Sequence, residues 1–106
     1  MLKEKQYTYM VMLDWSTDDC SDVEFMLFST YKKALKHFKK LIKDECNPKT
    51  SWVGLQAINN KGEANDGYEL DCYLDNANDS TLWWNIEDKY DYNHHTFIDL
   101  TKKEIN

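Results

Sequence analysis

The sequence predicts an α+β domain in which one long amphipathic helix lies on one face of an antiparallel sheet, in the order ββαββββ. Three observations lead there. Residues 31 to 45, YKKALKHFKKLIKDE, carry apolar side chains at helical spacing. The segments on either side alternate in polarity with a period of two, as strands do. Polar, turn-forming stretches separate the alternating segments by lengths suited to hairpins rather than to crossover helices. With 106 residues the chain has the size of one domain, 1–106, able to bury a core without disulfides or a structural metal.

The first strand is YTYMVMLDW, where Tyr7, Tyr9, Val11, Leu13 and Trp15 share a face and Met10 and Met12 make the other partly apolar, as in an interior strand. STDDCSD is a turn of residues that bond their own backbone, and VEFMLF, residues 23 to 28, returns as the second strand of a hairpin. Ser29 or Thr30 then supplies the hydroxyl that caps a helix N-terminus. Through the helix, Tyr31, Ala34, Leu35, Phe38, Leu41 and Ile42 fall within an arc of about 120° when successive residues turn by about 100°. Asn47 and Pro48 stop it, because proline removes a donor and restricts the residue before it.

Beyond the proline, SWVGLQAI reads as a third strand and NNKG as a turn. YELDCYLD is a half-exposed strand with Tyr68, Leu70, Cys72 and Leu74 facing the core. TLWWNI and TFIDL, residues 96 to 100, complete the sheet.

Charge is distributed unevenly. The chain has 13 lysines, no arginine and 19 acids, for a net charge of −6. Six of the lysines, Lys32, Lys33, Lys36, Lys39, Lys40 and Lys43, stand on the helix with no acid among them. Neighbours three or four residues apart then repel by about 0.2–0.5 kcal/mol per pair, and Lys32 and Lys33 oppose the helix dipole in the first turn. Lysine is also a good helix former on a solvated face, so the stripe fits either plain solvation or a docking surface for phosphates or an acidic protein. From Glu63 to Asp91 the balance inverts, with nine acids and one lysine.

Net acidity argues against generic affinity for nucleic acid or anionic lipid. Without arginine or a helix-turn-helix, base readout is not expected; binding of nucleic acid through the lysine helix is the secondary expectation. The segment WWNIEDKYDYNHHTF mixes aromatic rings and carboxylates in the manner of an interaction surface for a basic protein. Asp71, Asp75, Trp83, Glu87, Asp88, Tyr90, Asp91 and Tyr92 are the candidate protein contacts.

Enzyme signatures do not stand out. There is no GxSxG, P-loop or GxGxxG, and three glycines leave little for a phosphate-cradling loop. A zinc site from His94, His95, His37, Cys72 or Asp91 lacks the ligand spacing that sets two donors on one side. No catalytic residue, cofactor or metal is expected. Cys20, Cys46 and Cys72 are odd in number and far apart, which suits free thiols in the cytoplasm, with Cys72 buried among core residues. No signal peptide or spanning segment is read, so no membrane is expected. The abundance of Lys, Asn, Asp, Tyr and Ile is that of AT-rich codons, as in bacterial or phage genomes of low GC content. The function these features suggest is a small acidic protein that acts by occupying another macromolecule. An inhibitor, an immunity protein or a phage anti-defence protein directed at the basic cleft of a nucleic-acid-handling protein would be of this kind.

Overall fold

A computed structural model describes residues 6–75, 81–91 and 93–105. Tyr92 and the NANDS stretch at 76–80 lie outside the described residues. The elements are β1 (Gln6–Ser16), β2 (Ser21–Phe28), α1 (Tyr31–Glu45), a π-helical turn (Val53–Ala57), β3 (Tyr68–Tyr73), β4 (Leu82–Asp88) and β5 (His95–Ile105). Five strands form one sheet in the order β2-β1-β5-β4-β3, every neighbouring pair antiparallel. The first and last strands are thus central partners, and α1 with the π turn carries the chain from one edge of the sheet to the other.

The helix begins where its sequence signals place it. Thr30 is extended, and its Oγ1 accepts a hydrogen bond from the Lys33 amide at 3.3 Å, which satisfies a donor that the first turn leaves free. Ala34 and Phe38 are fully buried against the sheet. The side chains they meet come from alternate positions: Tyr9, Val11 and Leu13 of β1, Ile98 and Leu100 of β5, and Leu82, Trp84 and Ile86 of β4. Val53, Ala57 and Ile58 close the core at the end where α1 stops.

The one expected strand that does not form is SWVGLQAI. Residues 53 to 57 instead make a π-helical turn, with the Ile58 amide donating to the Val53 carbonyl at 3.0 Å. Gly54 explains why this segment packs as it does. A Cβ there would stand 2.5 Å from the Asn47 carbonyl carbon and 2.6 Å from that of Cys46, so only glycine lets the turn press against the C-terminus of α1. The observed order is therefore ββα followed by three strands, still an α+β sheet with one covered face. Cys72 also departs from expectation: it is exposed, because the far end of β3 runs past the cover of the helix. β5 is longer than the TFIDL segment and pairs with β1 along 11 residues.

No helix among the described residues is long and apolar enough to cross a membrane.

Candidate functional site

Among the described residues α1 and the π turn lie on one face only, and no layer covers the other face of the sheet. Strand register aligns its side chains in rows. One row runs Tyr73, Trp83, Asp99, Met12, Phe25 across all five strands. The next runs Asp71, Asn85, Phe97, Asp14, Val23, and the third Glu69, Glu87, His95, Ser16, Ser21. Neighbouring strands stand about 4.8 Å apart, so a row of five spans about 19 Å. Aromatic and aliphatic groups thus alternate with five carboxylates on a surface wide enough for a protein contact.

Several contacts organise this face. The rings of Tyr73 and Trp83 stack with centroids 5.2 Å apart, and those of His95 and Phe97 at 4.4 Å. Asp14 Oδ1 lies 3.0 Å from His95 Nε2. Asp99 sits between Trp83 and Met12 in its row and makes no ion pair among the described residues. Burial, and then the nearby charge of Asp14, push its carboxyl above the usual carboxylate range. A carboxylate in this state has lost part of its water and gained no cation. Its ionised form is stabilised by any ammonium or guanidinium brought up from outside.

The eight sequence-predicted contacts divide. Asp71, Trp83 and Glu87 lie on the uncovered face, while Trp84, one residue on, is buried at 4% exposure. Asp75 is exposed just past the end of β3. Asp88 ends β4, and Tyr90 and Asp91 belong to the β4–β5 turn, where the carboxylates of Asp88 and Asp91 serve the backbone. Asp88 Oδ1 accepts from the Tyr90 amide at 2.9 Å, and Asp91 Oδ1 from the Asn93 amide at 3.0 Å. Tyr90 is the most open of the large apolar side chains at 87% exposure. The Asn93 amide, with help from His94, holds Asp91 below the ordinary carboxylate range. Asp14 and Asp99 are site residues that motif reading passed over, whereas Phe97 and His95 belong to the aromatic and acidic segment without being among its candidate contacts.

Asp18, Asp91 and His94 also meet at this end of the sheet, their ligand-type atoms within 4.8 Å of one another. His94 Nδ1 is 3.0 Å from Asp91 and its Nε2 is 3.5 Å from Asp18. The two ring nitrogens point away from each other, each towards a different carboxylate. The imidazole therefore ties the β1–β2 turn to the β4–β5 turn rather than converging with both acids on one point. Cys46, the one part-buried thiol, is pushed up by burial and by Glu45, which disfavours a nucleophilic thiolate.

On the opposite side of the molecule all six helix lysines are exposed. Lys40 pairs with Asp44 at 3.1 Å; Lys32, Lys33, Lys36, Lys39 and Lys43 make no ion pair among the described residues. Much of the charge separation along the sequence thus becomes a separation across the sheet, with six lysines outside the helix and five carboxylates on the uncovered face, while Asp22 and Glu24 of β2 stay on the helix side and Lys103 of β5 on the uncovered one. The fold and this face together define a small open-faced α+β protein with an acidic, aromatic sheet surface. No known protein-family model, curated protein or solved structure matches the chain.

Proposed function

We propose that this chain is a non-enzymatic binding protein whose contact surface is the uncovered face of the sheet, and that its partner is a protein presenting lysine or arginine among apolar side chains. The observation that carries this reading is Asp99, a partly desolvated carboxylate set between Trp83 and Met12 with no cation beside it. Asp71, Glu87 and Asp14 extend the negative field around it, and Trp83, Tyr73 and Phe97 provide rigid apolar area. That combination matches the basic surface of a nucleic-acid-handling protein, whose occupation is how a small inhibitor or immunity protein acts. Free Cys20, Cys46 and Cys72 suit a reducing cytoplasm.

A second reading rests on the five helix lysines without ion pairs, which favour an acidic partner or nucleic acid on the helix side. One experiment separates the two. Affinity capture from a lysate of the encoding organism, with quantitative mass spectrometry, is run on three forms: the unaltered chain, Asp71→Lys with Glu87→Lys, and Lys36→Glu with Lys39→Glu and Lys40→Glu. A parallel sample is treated with nuclease. The open-face reading expects a partner that survives nuclease and the lysine reversals and is lost with the acid reversals. Loss with the lysine reversals and retention with the acid reversals overturns it.

A further inference from the structure

The two edges of the sheet differ in length and in exposed apolar area. β3 is six residues long and β2 eight, and each carries two acids, Glu69 and Asp71 in β3 and Asp22 and Glu24 in β2. β2 pairs with β1 without a bulge and contains neither proline nor lysine. Its Val23, Phe25, Met26 and Leu27 are 55%, 66%, 50% and 57% exposed. An edge of this length and apolarity offers a ready template for another strand.

From β2 we infer that the chain forms a twofold dimer in which β2 pairs antiparallel with β2 of a second copy, joining the two sheets into one of ten strands. The hydrogen-bonding geometry supports this pairing. Thr17 donates its amide to the Cys20 carbonyl at 2.8 Å, and counting back along the hairpin in steps of two makes Trp15/Asp22, Leu13/Glu24, Val11/Met26 and Tyr9/Phe28 the bonded pairs. Ser21, Val23, Phe25 and Leu27 therefore direct their N–H and C=O groups away from the sheet. The Val23 amide bonding the Asp22 carboxylate at 2.8 Å, instead of β1, agrees.

A twofold axis normal to the sheet keeps both helices on the same side, so directly opposed residues must share a face. Centring on Phe25 satisfies this and pairs residues 22–28 of each copy, a length that only centring on Glu24 equals. Phe25 then exchanges bonds with the partner's Phe25, and Val23 with the partner's Leu27, the Val23 amide giving up the Asp22 carboxylate for the partner's carbonyl. On the helix side Glu24 faces the partner's Met26, and Asp22 faces the partner's Phe28. Phe28 lies in a shallow groove with Lys33, Lys36, His37 and Lys40, so the carboxylates of each copy approach the lysines of the other. Sliding by two residues so that Glu24 meets the partner's Glu24 sets like charges in opposition, which fixes the register. A second copy fits this edge through matching charge as well as backbone. The pairing does not depend on the reading of the uncovered face given above, although it would place two such faces side by side.

Light scattering after size exclusion, across the micromolar range, reads the mass directly. The expected value for the unaltered chain is twice 12.7 kDa, and for Phe25→Lys it is 12.7 kDa, since the two introduced lysines would face each other. Because Phe25 is exposed in the single copy, Phe25→Lys should still fold and melt cooperatively by circular dichroism, at a temperature independent of concentration, whereas that of the unaltered chain should rise with concentration. Hydrogen exchange at the Phe25 and Leu27 amides should be slow in the unaltered chain and fast in Phe25→Lys. A mass of 12.7 kDa throughout the range, growth beyond a dimer, or a dimer that persists in Phe25→Lys overturns the inference.

Discussion

Adjacent tryptophans on β4 offer a direct test of which face of the sheet is core and which is contact surface. Trp84 is 4% exposed and packed among Ile86, Ile98 and Phe38, whereas Trp83 lies part-buried on the uncovered face against Tyr73. Replacing Trp84 by alanine removes a buried indole and leaves a cavity, at a cost of about 3–5 kcal/mol. Unfolding entropy near the melting temperature is about 2.1 cal/mol/K per residue, or about 0.22 kcal/mol/K for a chain of this length, so the melting temperature should fall by about 14–23 °C. Trp83→Ala forfeits a ring pair and part of one side chain's burial, about 1 kcal/mol, and should melt only about 5 °C lower. Binding should show the reverse order. Losing an aromatic anchor from the centre of a contact costs 2 kcal/mol or more, about a 30-fold rise in Kd, while Trp84→Ala that remains folded at low temperature should bind nearly normally. Circular dichroism melts and titration against the captured partner measure both. Equal destabilisation by the two changes, or a greater loss of stability from Trp83→Ala, would refute the assignment of the faces.

Three further outcomes follow from particular atoms. Gly54→Ala forces a methyl group against the backbone of Cys46 and Asn47 and should cost about 1–3 kcal/mol in urea unfolding, whereas Gly62→Ala, with nothing within 4 Å but a φ of +80°, should cost about 1 kcal/mol from strain alone. Asp99→Asn should raise the melting temperature at pH 7, because the fold holds this carboxyl's pKa above its ordinary value of 3.8 and so disfavours the charge; the gain should shrink as pH falls through the raised pKa and vanish below about 3.8, and a gain that is constant with pH contradicts the cause given. Thr96 is fully buried and its Oγ1 has no hydrogen-bond partner among the described residues, so Thr96→Val should stabilise by about 1 kcal/mol, and a loss in the same urea assay would mean that the hydroxyl is satisfied.

The parts of the fold legible in the sequence are those specified by neighbours. Helix α1 runs Tyr31–Glu45 because its apolar spacing, the Thr30 hydroxyl and Pro48 all lie within its own segment. β1 shows its parity plainly, since Tyr9, Val11 and Leu13 alternate with residues the core does not need. SWVGLQAI misleads because a short apolar run suits a buried strand and a buried turn equally well. What decides between them is the closeness of Gly54 to the end of α1, a tertiary contact with no local mark.

The candidate site was only half legible for a related reason. The acid-rich stretch after Trp84 drew attention by composition, yet Asp88 and Asp91 spend hydrogen-bonding capacity on the amides of Tyr90 and Asn93. Meanwhile Asp14 and Asp99, one in each terminal strand, look like isolated polar positions in apolar runs. Parity already puts each opposite its core neighbours, Asp14 across the strand from Leu13 and Asp99 from Ile98 and Leu100. Missing from the sequence is the pairing of β1 with β5, which sets Asp99 between Trp83 and Met12 and brings Asp14 close to it in the next row. The pair of acids at the centre of the uncovered face thus comes from joining the two ends of the chain, and a function resting on Asp99 should be lost by any change that shifts the β1–β5 register, even one far from Asp99 itself.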